Sequence, residues 1–380
     1  MHYDVIVAGL GTMGAATCSY LAGRGLKVLG IEQFDIPHDL GSHSGFTRII
    51  RKAYYEHPDY VPLLQRSYDL WRQQEQKTGQ TLYHETGILY LGEPSSSVLR
   101  GSLESSRLYD IPVEKWEGGK VRARYPQFHF PAHWDVLWEP GAGYLDVNKS
   151  ITGFCNTATE AGAEIHTREK IEAWKDQGDH ILLKTSRSHY TASRLILTAG
   201  PWTRDLTAGL PLRVTRQVLA WLQLPDLERY DYPAFPCWFL HDPDQGMYYG
   251  FPVSRTGDPS EPRGIKMALH MPGDTGDPDR LDREIRKEDK AIFRYFLDRY
   301  MPRANPVSIH YKTCMYTYCP DEHFLVDYLP GTDRKVVVAC GFSGHGFKFA
   351  PVIAEILTGL VLGETPNPSA AFLSLKRLDL

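Results

Sequence analysis

The first 35 residues constrain this chain more than any other stretch. Asp4-Val5-Ile6-Val7-Ala8 is a short apolar run that predicts a buried strand. Gly9-Leu10-Gly11-Thr12-Met13-Gly14 follows at once, and Ala15 to Arg24, rich in alanine and free of proline, predicts a helix. Lys27 to Ile31 predicts a second strand, which ends on Glu32. Strand, G-x-G-x-x-G turn, helix, strand and acid come in the order a dinucleotide requires. The first glycine permits the tight turn, the second lets backbone approach a pyrophosphate, and the third lets helix pack closely on strand. The phosphates then sit on free N–H groups at the helix N-terminus. Glu32 can accept hydrogen bonds from a ribose diol and would repel a 2′-phosphate. Thr12, Met13 and Gln33 belong to the same expected cofactor-binding set. The competing reading is a glycine-rich turn without a ligand; the full context, rather than the glycines alone, decides against it.

With 380 residues, the length allows two or three domains and a full hydrophobic core. A formal net charge of −4 offers no basic patch for nucleic acid. The six cysteines, Cys18, Cys155, Cys237, Cys314, Cys319 and Cys340, show no C-x-x-C spacing, so neither zinc nor a disulfide framework is indicated. No signal peptide, no apolar run of roughly 18 residues and no C-terminal peroxisomal address is found. The expectation is a cytoplasmic protein in a reducing compartment, with no membrane partner.

Further along, Phe34 to Gly45 is a polar, turn-rich loop. In Phe46 to Lys52, Arg48 and Arg51 lie three apart and would share one face of a helical turn. Pro58 to Thr78 predicts a helix stopped by Gly79, and Gly87 to Gly92 a strand. Ser95 to Tyr125 is expected to be helical in parts, and Pro126 to Pro140 to be broken by its prolines. Gly143 to Asp146 precedes a helix from about Val147 to Ala161. Strand patterns follow at residues 164–166 and 180–184. Arg194 to Leu197, with Ala199-Gly200-Pro201-Trp202 after it, reads as a central parallel strand returning to the first domain. From Val214, short strands split by turns suggest an antiparallel sheet. Asp282 to Tyr300 predicts an amphipathic helix, Lys335 to Cys340 a strand, and Phe349 to Gly363 a helix. The expected fold is α/β. A Rossmann-type domain (1–86, 147–212 and 320–380) carries an inserted antiparallel-sheet, α+β catalytic domain (87–146 and 213–319).

A second glycine-rich stretch, Gly341-Phe342-Ser343-Gly344-His345-Gly346, again joins a strand to a helix and offers another anion nest. Lys348 falls just inside that helix, where the dipole disfavours a cation, so it is expected to meet an anion. Together with Gly41-Ser42-His43, Thr47-Arg48-Ile49-Ile50-Arg51, Tyr248-Tyr249-Gly250-Phe251-Pro252, Cys314-Met315-Tyr316-Thr317 and Pro320-Asp321-Glu322-His323-Phe324, this stretch resembles the monomeric sarcosine oxidase and N-methyltryptophan oxidase family. These strings come in the family's order, so the resemblance covers nearly the whole chain. The wider group is the D-amino-acid-oxidase-like flavoproteins.

The resemblance implies an FAD-dependent oxidase of N-methyl or other secondary α-amino acids, acting with O2 and without NAD, and a monomer. Cys314 matches the cysteine bonded to FAD. Arg51 and Lys348 match the pair that holds the substrate carboxylate. Arg48 matches an arginine near the flavin face, and Lys266 a lysine that promotes reaction with oxygen. Tyr249, His270 and Tyr316 match residues around the substrate amine. Ser42, His43, Ser44, Thr47, Ile171, Ala199, Gly200, Trp202, Met315, Phe342, Gly344, His345 and Gly346 match further FAD contacts. No metal is implied.

Each assignment has a plainer rival. Cys314 alone would read as an inert buried thiol, and Cys319 is a rival attachment point. His270 alone would read as a core histidine, His43 as a loop histidine and Glu322 as a structural acid. Three departures bear on the substrate: Ser44 and Phe46 stand where the family shows histidine and aspartate, the connection 252–265 looks long, and Tyr318 and Cys319 replace small polar residues. An oxidase of a cyclic imino acid such as proline or pipecolate is the nearer alternative. An NAD-dependent dehydrogenase, or a protein whose flavin is structural, is the further one.

Overall fold

The opening strand His2–Ala8 is apolar enough to be buried on both faces, and both faces are covered. A computed structural model describes residues 2–207, 209–270, 273–365 and 367–378 of the chain. The opening strand pairs in parallel with Val28–Ile31 on one side and His189–Leu197 on the other. Val336–Cys340 lies parallel beside the end of His189–Leu197, and Glu164–His166 extends the opposite edge. Val5 and Val7 pack toward the helices Thr12–Gly23, Val147–Glu160 and Ala350–Leu362, while Tyr3, Ile6 and Ala8 fill the other layer. The antiparallel strands Ile171–Asp176, Ile181–Thr185 and Leu325–Tyr328 complete this first sheet. The strand at Ile171 carries few buried side chains, so its pattern is faint in the sequence.

The second sheet runs Ser308–Tyr318, Arg213–Gln223, Ile265–His270, Gly246–Val253, Cys237–Asp242, Ile88–Gly92, Asp135–Glu139, Glu114–Trp116. It is mixed rather than antiparallel, because Cys237–Asp242 and Ile88–Gly92 are parallel neighbours. That contact joins two segments far apart in the chain, and no local pattern announces it. Asp135–Glu139 is a strand inside the proline-broken stretch: its pairing with Ile88–Gly92 overrides the local signal.

A small third sheet joins Thr47–Ile50, Gly143–Asp146 and Tyr83–Glu85. It draws on segments expected in both domains. Arg48 therefore sits on a strand and Arg51 just beyond its end, and the two do not share a helical face. Tyr60–Thr78 ends at Gly79 in the left-handed conformation, as its sequence predicts. The helix expected from Asp282 begins only at Lys287, where Arg286 and Asp289 form a reciprocal cap. Lys348 lies in the 3-10 turn Phe347–Phe349, and the helix proper starts at Ala350 with Pro351 in its first turn. Among the described residues no helix is long and apolar enough to cross a membrane.

Candidate active site

A cavity of about 490 Å³ opens at the carboxyl ends of the parallel strands and continues under the second sheet. One end is walled by Gly9, Gly11, Thr12, Met13, Glu32, Gln33, Ile171, Ala199, Gly200 and Trp202. The helix that starts at Thr12 has Gly11 as its cap and no side chain on its first N–H groups, which leaves them directed into the turn. Gly14 does not line the cavity; a β-carbon there would lie 1.8 Å from the Gly9 carbonyl oxygen. Glu32 is buried and accepts from the backbone N–H of Leu10 at 2.8 Å and of Phe34 at 3.1 Å. Burial pushes its pKa up against those two donors. Trp202 is fixed by its indole N–H, which donates to Asp279 at 2.6 Å.

In the middle, Ser42, His43 and Arg48 line the wall, with Ser44 and Thr47 just behind it. Ser42 Oγ, His43 Nε2, Ser44 Oγ and Thr47 Oγ1 are all buried with no hydrogen-bond partner among the described residues. Arg48 spends its guanidinium on the carbonyls of Thr47, Ser42 and Ser44, which shapes this loop from inside. Lys266 is buried behind the wall and donates to the carbonyls of Gly45 at 2.7 Å and Thr47 at 2.6 Å. Burial, and the nearby Arg48, hold its ammonium well below the usual lysine range. Opposite lies the second glycine-rich turn, with Gly341, Ser343 and Gly344 all at positive φ. A β-carbon on Gly344 would come within 2.5 Å of Tyr316 and 3.0 Å of His270, so the backbone touches both rings.

At the far end Arg51 is almost wholly buried. Its guanidinium donates to both oxygens of Glu56, at 2.7 and 2.6 Å, and to the Ala53 carbonyl at 2.6 Å. The rings of Tyr54, Tyr55 and Phe239 surround it at 4.3–5.0 Å. Glu56 is held down to about 2: burial opposes its charge, but Arg51 outweighs it. Lys348 donates to the His345 carbonyl at 2.7 Å, and burial, then Arg51, bring it down to about 7. His270 is pushed down to about 4 by burial and stands neutral beside Tyr249 and Tyr316, whose hydroxyls are 3.2 Å apart.

Most of the expected site residues thus meet in one cavity. Gly14, Ser44, Thr47, Lys266, Cys314 and Met315 stand outside its wall. His345 lines the cavity, and its Nδ1 is hydrogen-bonded to the Tyr54 hydroxyl at 2.6 Å inside an aromatic cluster. Cys314 is buried among Phe46, Leu219 and Trp221, next to the wall residue Tyr316. Cys319 belongs to the core of the first sheet, directly behind Gly341. Glu56 was invisible in the sequence apart from its position five residues after Arg51. Thr317, with a buried unpartnered hydroxyl, also lines the wall. The departures at Ser44, Phe46, Tyr318, Cys319 and 252–265 all lie outside the wall, so none of them shapes the cavity directly.

Residues 4–360 match the model of the family described as FAD dependent oxidoreductase. The chain belongs to that family. It is 36% identical to the monomeric sarcosine oxidase of Streptomyces avermitilis, covering 97% of this chain and 96% of that protein. It is 33% identical to the N-methyl-L-tryptophan oxidase of Yersinia pestis, with 97% of each chain covered. Among solved structures, NikD, described as an unusual amino acid oxidase, superposes with a TM-score of 0.85 at 23% identity, over 98% of this chain and 97% of that one, and so shares the fold.

The residues present fit FAD. An uncapped helix N-terminus suits the pyrophosphate, Glu32 suits a ribose, and the buried Ser42 Oγ and His43 Nε2 of the wall suit polar atoms of the cofactor alongside the second glycine nest.

Proposed function

We propose that this protein is an oxidase of secondary α-amino acids, N-methyl amino acids above all, with O2 as the electron acceptor. One observation carries the reading: two buried cations, Arg51 and Lys348, share a single cavity with the dinucleotide cradle. The names of the relatives at 33–36% identity support it. Bound FAD supplies the acceptor that takes hydride from the carbon next to nitrogen and passes the electrons to O2, giving hydrogen peroxide. The imine product hydrolyses, and an N-methyl substrate thereby yields formaldehyde and the primary amino acid.

The chain's own residues do the rest. A carboxylate leaving water must be paired, and Arg51 offers a planar, two-pronged donor. Glu56 already occupies Nη2 and the Ala53 carbonyl Nη1, so the substrate carboxylate competes with Glu56, and Lys348 adds a second positive charge. The amine must react as its free base, and these cations favour that form by lowering its pKa. Neutral His270 with Tyr249 and Tyr316 bounds the amine side, pressed against the Gly344 backbone. Arg48 supplies positive charge in the wall, and Lys266, the residue assigned to the reaction with oxygen, stands behind it as a hydrogen-bond donor to the Gly45 and Thr47 carbonyls, its charged form disfavoured by burial. Gly9, Gly11, Thr12, Met13, Glu32, Gln33, Ser42, His43, Ile171, Ala199, Gly200, Trp202, Phe342, Gly344 and Gly346 would hold FAD, with Cys314 as its covalent anchor. Burial raises the Cys314 thiol pKa, and Arg48 and Lys266 only partly oppose that rise.

Two assays test this. Acid-precipitated protein should keep its yellow colour in the pellet, and Cys314→Ala should send the colour to the supernatant. Sarcosine, N-methyl-L-tryptophan, proline and pipecolate should then be compared by peroxide release. A preference for the two cyclic compounds would replace N-methyl substrates with imino acids. Peroxide from none of the four would end the oxidase reading.

A further inference from the structure

We infer that Glu139 is the positioning residue of the carboxylate site, holding Arg51 through the backbone of the two residues that follow it. The inference rests on the reading of Arg51 as the carboxylate binder.

Glu139 ends the strand Asp135–Glu139 of the second sheet and is 2% exposed. Its Oε1 accepts the N–H of Lys52 at 2.6 Å, and its Oε2 accepts the N–H of Ala53 at 3.3 Å. The Tyr90 hydroxyl, one strand over, donates to the same Oε2 at 2.6 Å. Arg51 in turn donates to the Ala53 carbonyl at 2.6 Å. One short segment is therefore gripped at its N–H groups by Glu139 and at its carbonyl by Arg51.

A buried carboxylate costs folding free energy unless each oxygen is satisfied, and an apolar residue would serve packing as well. What a carboxylate adds is geometry. Its two oxygens can receive two successive backbone N–H groups, whereas an amide offers one acceptor and turns two donors on the other N–H. Burial raises the Glu139 pKa, and Tyr90, the Lys52 N–H and Arg51 oppose the rise. Without this grip, Lys52 and Ala53 are free to turn and Arg51 loses its Ala53 partner. Glu56 then remains the one strong bond on the guanidinium, and Arg51 settles onto it at the expense of the substrate.

The test uses the flavin-loaded enzyme and the variants Glu139→Gln, Tyr90→Phe and Arg51→Gln. The readouts are KM and kcat for the best secondary amino acid, and the Kd of acetate from the change in flavin absorbance. Acetate has a carboxylate and no amine to oxidise. Glu139→Gln should raise KM and the acetate Kd about tenfold while kcat stays within about twofold. Tyr90→Phe removes one of the three donors and should raise both about threefold. Glu139→Asp, which keeps the charge, should recover part of the loss. Should Glu139→Gln fail to fold, Tyr90→Phe and Glu139→Asp decide the matter by the same constants. Wild-type KM and acetate Kd in these variants, beside raised values in Arg51→Gln, would make Glu139 a purely structural acid. Wild-type values in Arg51→Gln itself would overturn the carboxylate reading and this inference with it.

Discussion

Beside the opening strand, the cavity is walled by glycine, backbone N–H groups and one acid; at the far end, it is walled by charged and aromatic side chains from distant segments. The first end is a continuous motif: residues 9–14 make the turn, and a β-carbon on Gly14 would strike a carbonyl only five residues earlier in the chain. The second end gathers Arg51, Glu56, Lys348 and Phe239, with Glu139 and Tyr90 behind them. Backbone sites are specified by what is missing, a side chain. Side-chain sites are specified by what else has folded around them, and here the ion pair forms within the protein before any substrate arrives.

That contrast can be broken most severely at the glycine end. Gly14→Ala puts a methyl group 1.8 Å from the Gly9 oxygen and 2.8 Å from Thr198 Oγ1. Backbone cannot yield as a flexible side chain does, so the turn should open. The variant should purify without flavin, read from its absorbance spectrum, and activity should fall to background.

At the side-chain end, Arg51→Gln should leave the flavin spectrum present but lower kcat/KM by at least about a hundredfold. It also strands Glu56 without its cation, and the cost in stability should be roughly 3–5 kcal/mol in denaturant titration. A variant that keeps wild-type stability would mean that Glu56 finds another partner.

The smallest effect sharpens the comparison through pH. Lys348 titrates near 7 in the free protein, and its protonated form attracts an anion. Bound acetate raises that pKa, so acetate affinity should be level from just above acetate's own titration to about pH 6 and weaken as pH rises through 7. Lys348→Gln should flatten the profile. His270, near 4, contributes nothing in this range. A profile unchanged in the variant would assign the titration to another group.

The parallel core was legible because its strands are continuous β-branched runs bounded by glycine, and the strands expected from residues 4, 27, 194 and 335 do lie side by side. The helix ending at Gly79 was legible for an equally local reason, the left-handed cap. The helical turn expected for Arg48 and Arg51 was not found, since the three-residue spacing carries no information about a strand partner at Gly143–Asp146. The strand Asp135–Glu139 was hidden by its proline flanks, and with it Glu139. Arg51 and Lys348 stood out by their positions and the family resemblance added His270 and Tyr316, but Glu56 has no pattern of its own to be found by.

By itself the sequence determined a dinucleotide turn, its strand and helix neighbours, and a family, because each depends on residues adjacent in the chain. Tertiary structure alone decided that the second sheet is mixed, that the family departures stand behind the cavity wall, and that Arg51 meets Glu56 on one side and the Ala53 backbone, braced by Glu139, on the other. Charge pairing in a buried site depends on separations of a few ångströms between segments that only the folded sheets bring together.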